Sequence, residues 1–193
     1  MKATILLGTL KKTGLSNTET LCDFLTSRLQ VADVPCETVK LVSHPIHPGT
    51  YTDMSDGDEW PAILDKVLAA EILIVATPIW WGNHSSLVQR AIERLDQLHD
   101  AILAGQPSAL EGKAAGIVIT GDSDGAQHVI ANLCNFLNAL GVVVPPYATL
   151  SVLWERQAKG SDVSKAELME KYAADYTTAA DKMIAQLVDA VRA

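Results

Sequence analysis

The chain has no excess of positive charge: its 193 residues carry 15 Lys and Arg against 23 Asp and Glu, a formal net charge of −8. Sequence-independent binding of nucleic acid or of an anionic membrane needs a basic face, so both are disfavoured. It also lacks a long apolar run. The longest uncharged stretch, Ile72 to Gln89, is interrupted by Pro78, Gly82, Asn83, His84 and two serines, which rules out an unbroken lipid-facing helix there. Cysteine is scarce. Cys22, Cys36 and Cys134 lie far apart with no CxxC pair, which argues against a disulfide framework and fits reduced thiols in a cytoplasmic protein. No export signal is expected, because Lys2 leads straight into a short apolar strand without a cleavage site behind a longer apolar stretch. Metal is not expected either: His44-x-x-His47 lies in a proline-rich loop with no carboxylate or cysteine at ligand spacing. His84, His99 and His128 read as surface or helix-end residues. The chain has neither GxxxxGK[ST] nor GxGxxG, which disfavours a nucleoside triphosphate or a dinucleotide held in the Rossmann manner. No Ser/His/Asp or Cys/His arrangement offers a nucleophile.

What is there is a rhythm. The composition, 48% hydrophobic and 20% charged, is that of a globular protein, and the length suits one domain over residues 1–193. Short β-branched runs alternate with stretches of helical period, the signature of βα units on a parallel sheet. The strand candidates are Ala3–Leu7, Glu37–Val42, Ile72–Ala76, Gly116–Thr120, and Val142–Val144 continuing at Ala148–Val152. Three are nearly continuously apolar, as strands covered on both faces should be. Helical stripes run through Leu21, Leu25 and Leu29; through Ile63, Leu64, Val67 and Leu68; from Leu87 to Leu98; and from Val129 to Leu140, stopped by Gly141. A last helix, the longest, should start at the capping box Ser164-x-x-Glu167. Ser43 to Trp60 has no apolar period and reads as a long loop of the kind that often carries function.

Ligands of open parallel sheets bind outside the carboxyl ends of the strands, which directs attention to the loops after strands one, three and four. The first, Gly8 to Thr18, brings hydroxyls, an amide and two lysines to a helix amino terminus, and suits a monoester phosphate. An ordinary capping box of Ser16 and Glu19 is the plainer alternative. The third, Thr77 to Ser86, sets Trp80 and Trp81 beside Gly82, where a flat ring could lie against the chain; a Trp pair buried in the core or in an interface is the alternative. The fourth, Thr120-Gly121-Asp122-Ser123-Asp124-Gly125, is polar and glycine-rich and could close over the same ligand.

Ser16-Asn17-Thr18, Pro78-Ile79-Trp80-Trp81-Gly82-Asn83, and Thr120-Gly121 with Gly125-Ala126-Gln127, in that order, resemble the NAD(P)H-dependent FMN reductase family from strand one to about Pro146. The resemblance implies a flavodoxin-like three-layer sandwich with a five-stranded parallel sheet of order 2-1-3-4-5 and helices on both faces. It implies an FMN cofactor, with NADH or NADPH as co-substrate. Thr9, Ser16, Asn17 and Thr18 would meet the FMN phosphate, in a first loop longer than the family's GSxR form that has Lys11 and Lys12 in place of its arginine. Pro78, Ile79, Trp80, Trp81, Gly82 and Asn83 would run along the isoalloxazine, and Thr120, Gly121, Asp122 and Gly125 would meet its other side. Trp80 stands where Tyr is common. Clustered cysteines after strand two, which mark iron–sulfur relatives, are absent. The function implied is transfer of electrons from a nicotinamide through FMN to a quinone, flavin or other small acceptor, in a homodimer or homotetramer, with no catalytic side chain needed. An electron-carrier flavodoxin and a cofactor-less interaction domain are the alternatives.

Overall fold

The computed structural model describes residues 1–158 and 160–192. Strands β1 (Ala3–Leu7), β2 (Cys36–Lys40), β3 (Ile72–Pro78), β4 (Ala114–Gly121) and β5 (Thr149–Leu153) form one parallel sheet of order β2-β1-β3-β4-β5. The order reverses at the β1/β3 boundary, so the carboxyl ends of those two strands flank a crevice.

Side-chain alternation sorts the helices. Ala3, Ile5 and Leu7 of β1 with Ile72, Ile74 and Ala76 of β3 pack under α1 (Asn17–Val31) and α6 (Lys165–Arg192). Leu6, Leu73, Val75, Ala115, Ile117 and Ile119 face α2 (Trp60–Ala69), α3 (Ser86–Leu95) and α5 (Ala126–Ala139). β1, β3 and β4 are thus buried on both faces, which is why these three read as continuous apolar runs, while the edge strands β2 and β5 are partly exposed. Gly116 lets α6 come close: a Cβ there would stand 2.4 Å from Met183 Cε. The expected box at the start of α6 is present, with Glu167 N donating to Ser164 Oγ and Ser164 N to Glu167 Oε2.

Three boundaries differ from the sequence reading. β2 stops at Lys40, where Leu41–Ser43 tightens into a 3-10 turn. The fifth strand is not continuous from Val142: Val143 makes only an isolated bridge to Ala114, Pro145 and Pro146 supply no N–H, and Tyr147 turns through φ +63°. The helix at Ser86 ends at Leu95; Asp96–Leu98 is a 3-10 turn leading to a short helix α4 (His99–Leu103) that the apolar pattern did not separate.

The Ser43–Trp60 segment is held to the body by a buried ion pair. Asp58 and Arg94 have fully buried side chains and an Arg94 Nη2 to Asp58 Oδ2 distance of 2.6 Å. Arg94 also donates to the carbonyls of Tyr51 and His47, and Asp58 accepts from the backbone N–H groups of His47, Met54 and Trp60. Burial alone would raise the Asp58 pKa, but Arg94 and those three N–H groups together hold it far below the usual carboxylate range. His44 does find a carboxylate, Glu59 Oε2 at 2.7 Å, yet among the described residues no three His, Cys, Asp or Glu gather into a metal-binding group. Nor, among them, is any helix long and apolar enough to cross a membrane.

Candidate functional site

A cavity of about 620 Å³ opens at the carboxyl ends of β1, β3, β4 and β5, a size that suits a cofactor or drug-sized ligand. Thirteen expected residues line it: Thr9, Lys11, Ser16, Asn17, Thr18, Pro78, Ile79, Trp80, Trp81, Gly82, Thr120, Gly121 and Asp122. Asn83 and Gly125 do not. They stand behind the wall and shape it.

One end is built of buried hydroxyls at the start of α1. Ser16 caps the helix by accepting from Glu19 N at 3.2 Å, and spends its own hydrogen on Thr9 Oγ1 at 2.8 Å. The other half of the capping box is missing, because the Glu19 carboxylate pairs with Lys40 Nζ. Thr9 Oγ1 accepts a second bond from Lys11 N, which leaves the Thr9 hydroxyl hydrogen free for a ligand. Thr18 and Thr120 hydroxyls lie 2.6 Å apart and share one hydrogen bond, so one further hydroxyl hydrogen remains available. The first N–H groups of α1 have no acceptor within the helix, and the helix dipole adds partial positive charge there. This donor set fits a phosphate. Lys11 Nζ is turned onto Leu15 O at 2.7 Å and the Asn17 amide donates to Gln157 O at 3.1 Å, each keeping further N–H donors.

Elsewhere the wall is a glycine junction. Gly125, with φ +103°, caps α5 so close to the loop after β3 that a Cβ would stand 3.0 Å from Gly82 Cα. A Cβ on Gly121 would meet Ile79 Cδ1 at 2.9 Å. The two loops therefore meet backbone to backbone or backbone to side chain, and leave Trp80 and Trp81 at the opening. His84 is buried behind them rather than at the surface, with neither ring nitrogen hydrogen-bonded.

Sequence reasoning missed the segment after β5. Arg156, Gln157, Ala158, Gly160, Ser161 and Val163 complete the wall. Tyr172 of α6, wholly buried, accepts from Gln157 Nε2 at 2.8 Å and donates to Asn17 O at 3.3 Å, which ties this segment to the amino end of α1. Burial pushes the Tyr172 phenol up, so it remains a donor at neutral pH. Arg156 lies over the Trp154 ring at 5.4 Å and pairs with Glu167. The spacing of Leu168 and Tyr172 on one helical face was the available signal for Tyr172; nothing in the sequence marked Gln157.

A relative from Mycobacterium bovis, named divalent metal cation transporter MntH, is 35% identical over 153 residues, covering 77% of this chain and 22% of the relative. The 8-demethyl-8-aminoriboflavin-5'-phosphate synthase of Streptomyces davaonensis is 32% identical over 158 residues, covering 77% of this chain and 62% of the relative. The chain thus spans less than two thirds of either protein. The crystal structure of RosB with a bound 8-demethyl-8-formylriboflavin-5'-phosphate intermediate matches at a TM-score of 0.81 and 27% identity, over 100% of this chain and 79% of that one. Residues 1–153 match the family model for NADPH-dependent FMN reductase, and the chain belongs to that family.

Proposed function

We propose that the chain is an FMN-dependent NAD(P)H oxidoreductase whose acceptor is a quinone, a flavin or another small molecule. The observation that carries this reading is the division of one cavity into a hydroxyl-and-helix end suited to a phosphate and an aromatic-edged part suited to a flat ring. FMN, when bound, supplies the capacity to take two electrons from a nicotinamide and release them to a second substrate. The chain's own work is placement. Thr9, Thr18, Thr120 and the first N–H groups of α1 hold the phosphate, with Ser16 and Lys11 fixing their loop and Asn17 fixing Gln157. Pro78, Ile79, Trp80 and Gly82 border the ring, Trp81 stands at its open side, and Gly121 and Asp122 face it from β4. Asn83 and Gly125 set the distance between the two loops.

The test is reconstitution followed by turnover. The FMN-loaded protein should oxidise NADPH or NADH when a quinone is present, and the flavin recovered afterwards should have the mass of FMN. Oxidation of neither nucleotide would overturn the proposal. The relation to the Streptomyces synthase and to RosB favours a second reading, in which a flavin phosphate is the substrate; a change in the recovered flavin's mass would select it.

A further inference from the structure

Trp81 is held where its side chain is least at ease. Trp80 N donates to Asn83 O at 2.8 Å and Asn83 N returns a bond to Trp80 O at 3.0 Å, so Trp81 and Gly82 are the two central residues of a hairpin. Their φ values are +50° and +77°, as in a type I′ turn, whose preferred pair is Asn-Gly. A bulky aromatic at positive φ is an outlier, and such strain persists where surrounding structure imposes it, often in a functional site. The surroundings do impose it: Gly82 abuts Gly125, and Asn83 Nδ2 donates to Trp81 O at 3.2 Å. Burial gives nothing back, because Trp81 is 97% exposed, against 42% for Trp80. A ring that floors a resident cofactor is set into the wall, as Pro78 and Ile79 are. Trp81 stands off that wall while still bordering the cavity.

We infer that Trp81 is a specificity-determining residue: it offers an indole face to a flat, aromatic second substrate entering the cavity mouth, a nicotinamide or a quinone. This rests on the reading of the cavity as a flavin site. The offset stacking of two π systems supplies the attraction, and the hairpin keeps the indole standing in the entrance instead of collapsing onto the protein. A nonaromatic acceptor gains nothing from such a wall.

The test compares the wild type with Trp81→Asn and Trp81→Phe. Trp81→Asn should raise the melting temperature of the FMN-free protein by about 2–4 °C, since Asn suits the turn. FMN affinity, by fluorescence titration, should stay within about twofold. Binding of a naphthoquinone sulfonate and of nicotinamide dinucleotide to the oxidised, FMN-loaded protein should weaken about tenfold in Trp81→Asn and largely recover in Trp81→Phe, as one aromatic contact is worth on the order of tenfold. The KM for ferricyanide should not move. A tenfold loss of FMN affinity in Trp81→Asn would make Trp81 part of the cofactor bed and overturn the inference. So would unchanged naphthoquinone and nucleotide binding, or a fall in particle mass by light scattering with that binding intact, which would make Trp81 a subunit contact. If the wild type binds no FMN, the flavin reading fails before any variant is compared.

Discussion

At the scale of single residues, what the cavity's hydroxyl-lined end can offer an anion depends on which hydroxyl hydrogens are already spent. Ser16 gives its hydrogen to Thr9, and the Thr18–Thr120 pair consumes one of two, so Thr9 and the Thr18–Thr120 pair each keep one hydroxyl hydrogen for an anion. Replacing Thr18 and Thr120 together with Val removes the pair's spare hydrogen at nearly constant volume and should weaken FMN binding by about 10- to 100-fold, in line with a hydrogen bond to a charged group; fluorescence titration measures it. Tyr172→Phe removes only the hydroxyl that joins Gln157 to Asn17. It should weaken FMN binding several-fold and leave one buried amide hydrogen bond unmade, at a stability cost of about 1–3 kcal/mol in urea unfolding. The lost affinity is the part a purely structural role would not produce. Sequence reading reached Thr9, Ser16 and Thr18 because a hydroxyl-rich loop before a helix has a known physical use. It did not reach Gln157, because that residue acts across 140 positions, through Asn17, and leaves no local pattern.

At the scale of elements, β1, β3 and β4 were legible because burial on both faces of a parallel sheet writes itself as continuous apolar runs, and the helices because one-sided burial leaves an apolar stripe. What escaped was set by backbone detail. The break in the fifth strand comes from two consecutive prolines and a positive φ at Tyr147. The long segment before α2 reads as a functional loop from composition, yet it does not line the cavity and is clamped by Arg94 and Asp58. Arg94 stands three residues after Ala91 on the buried face of α3, which was a signal in itself, since a charge on an apolar stripe needs a partner. Arg94→Met should destabilise the protein by about 3–5 kcal/mol, because it strands a buried carboxylate. The pH dependence follows in sign. The folded Asp58 pKa lies far below the unfolded value near 3.9, so its contribution is complete above about pH 4 and is lost as pH falls toward the folded pKa. Acid denaturation followed by circular dichroism should therefore begin below about pH 4, and be shallower there in Asp58→Asn.

At the scale of the whole molecule, one topological fact assembles the site: the order β2-β1-β3-β4-β5 places four strand ends around a single cavity. The family model covers residues 1–153, while Gln157 and Tyr172 lie beyond it, so the hydroxyl-lined end of the cavity is braced by a part of the chain the family model does not include. The family resemblance also motivates an oligomer, and light scattering of the FMN-loaded protein should give a dimer or tetramer; a fully active monomer would count against it. The most direct measurement of the function is anaerobic mixing of the FMN-loaded protein with NADPH and, separately, with NADH, following flavin absorbance. Loss of the oxidised flavin band with at least one nucleotide, and its return on adding a quinone, is the expected result. Retention of the band with both nucleotides while FMN stays bound would contradict a nicotinamide-driven reductase.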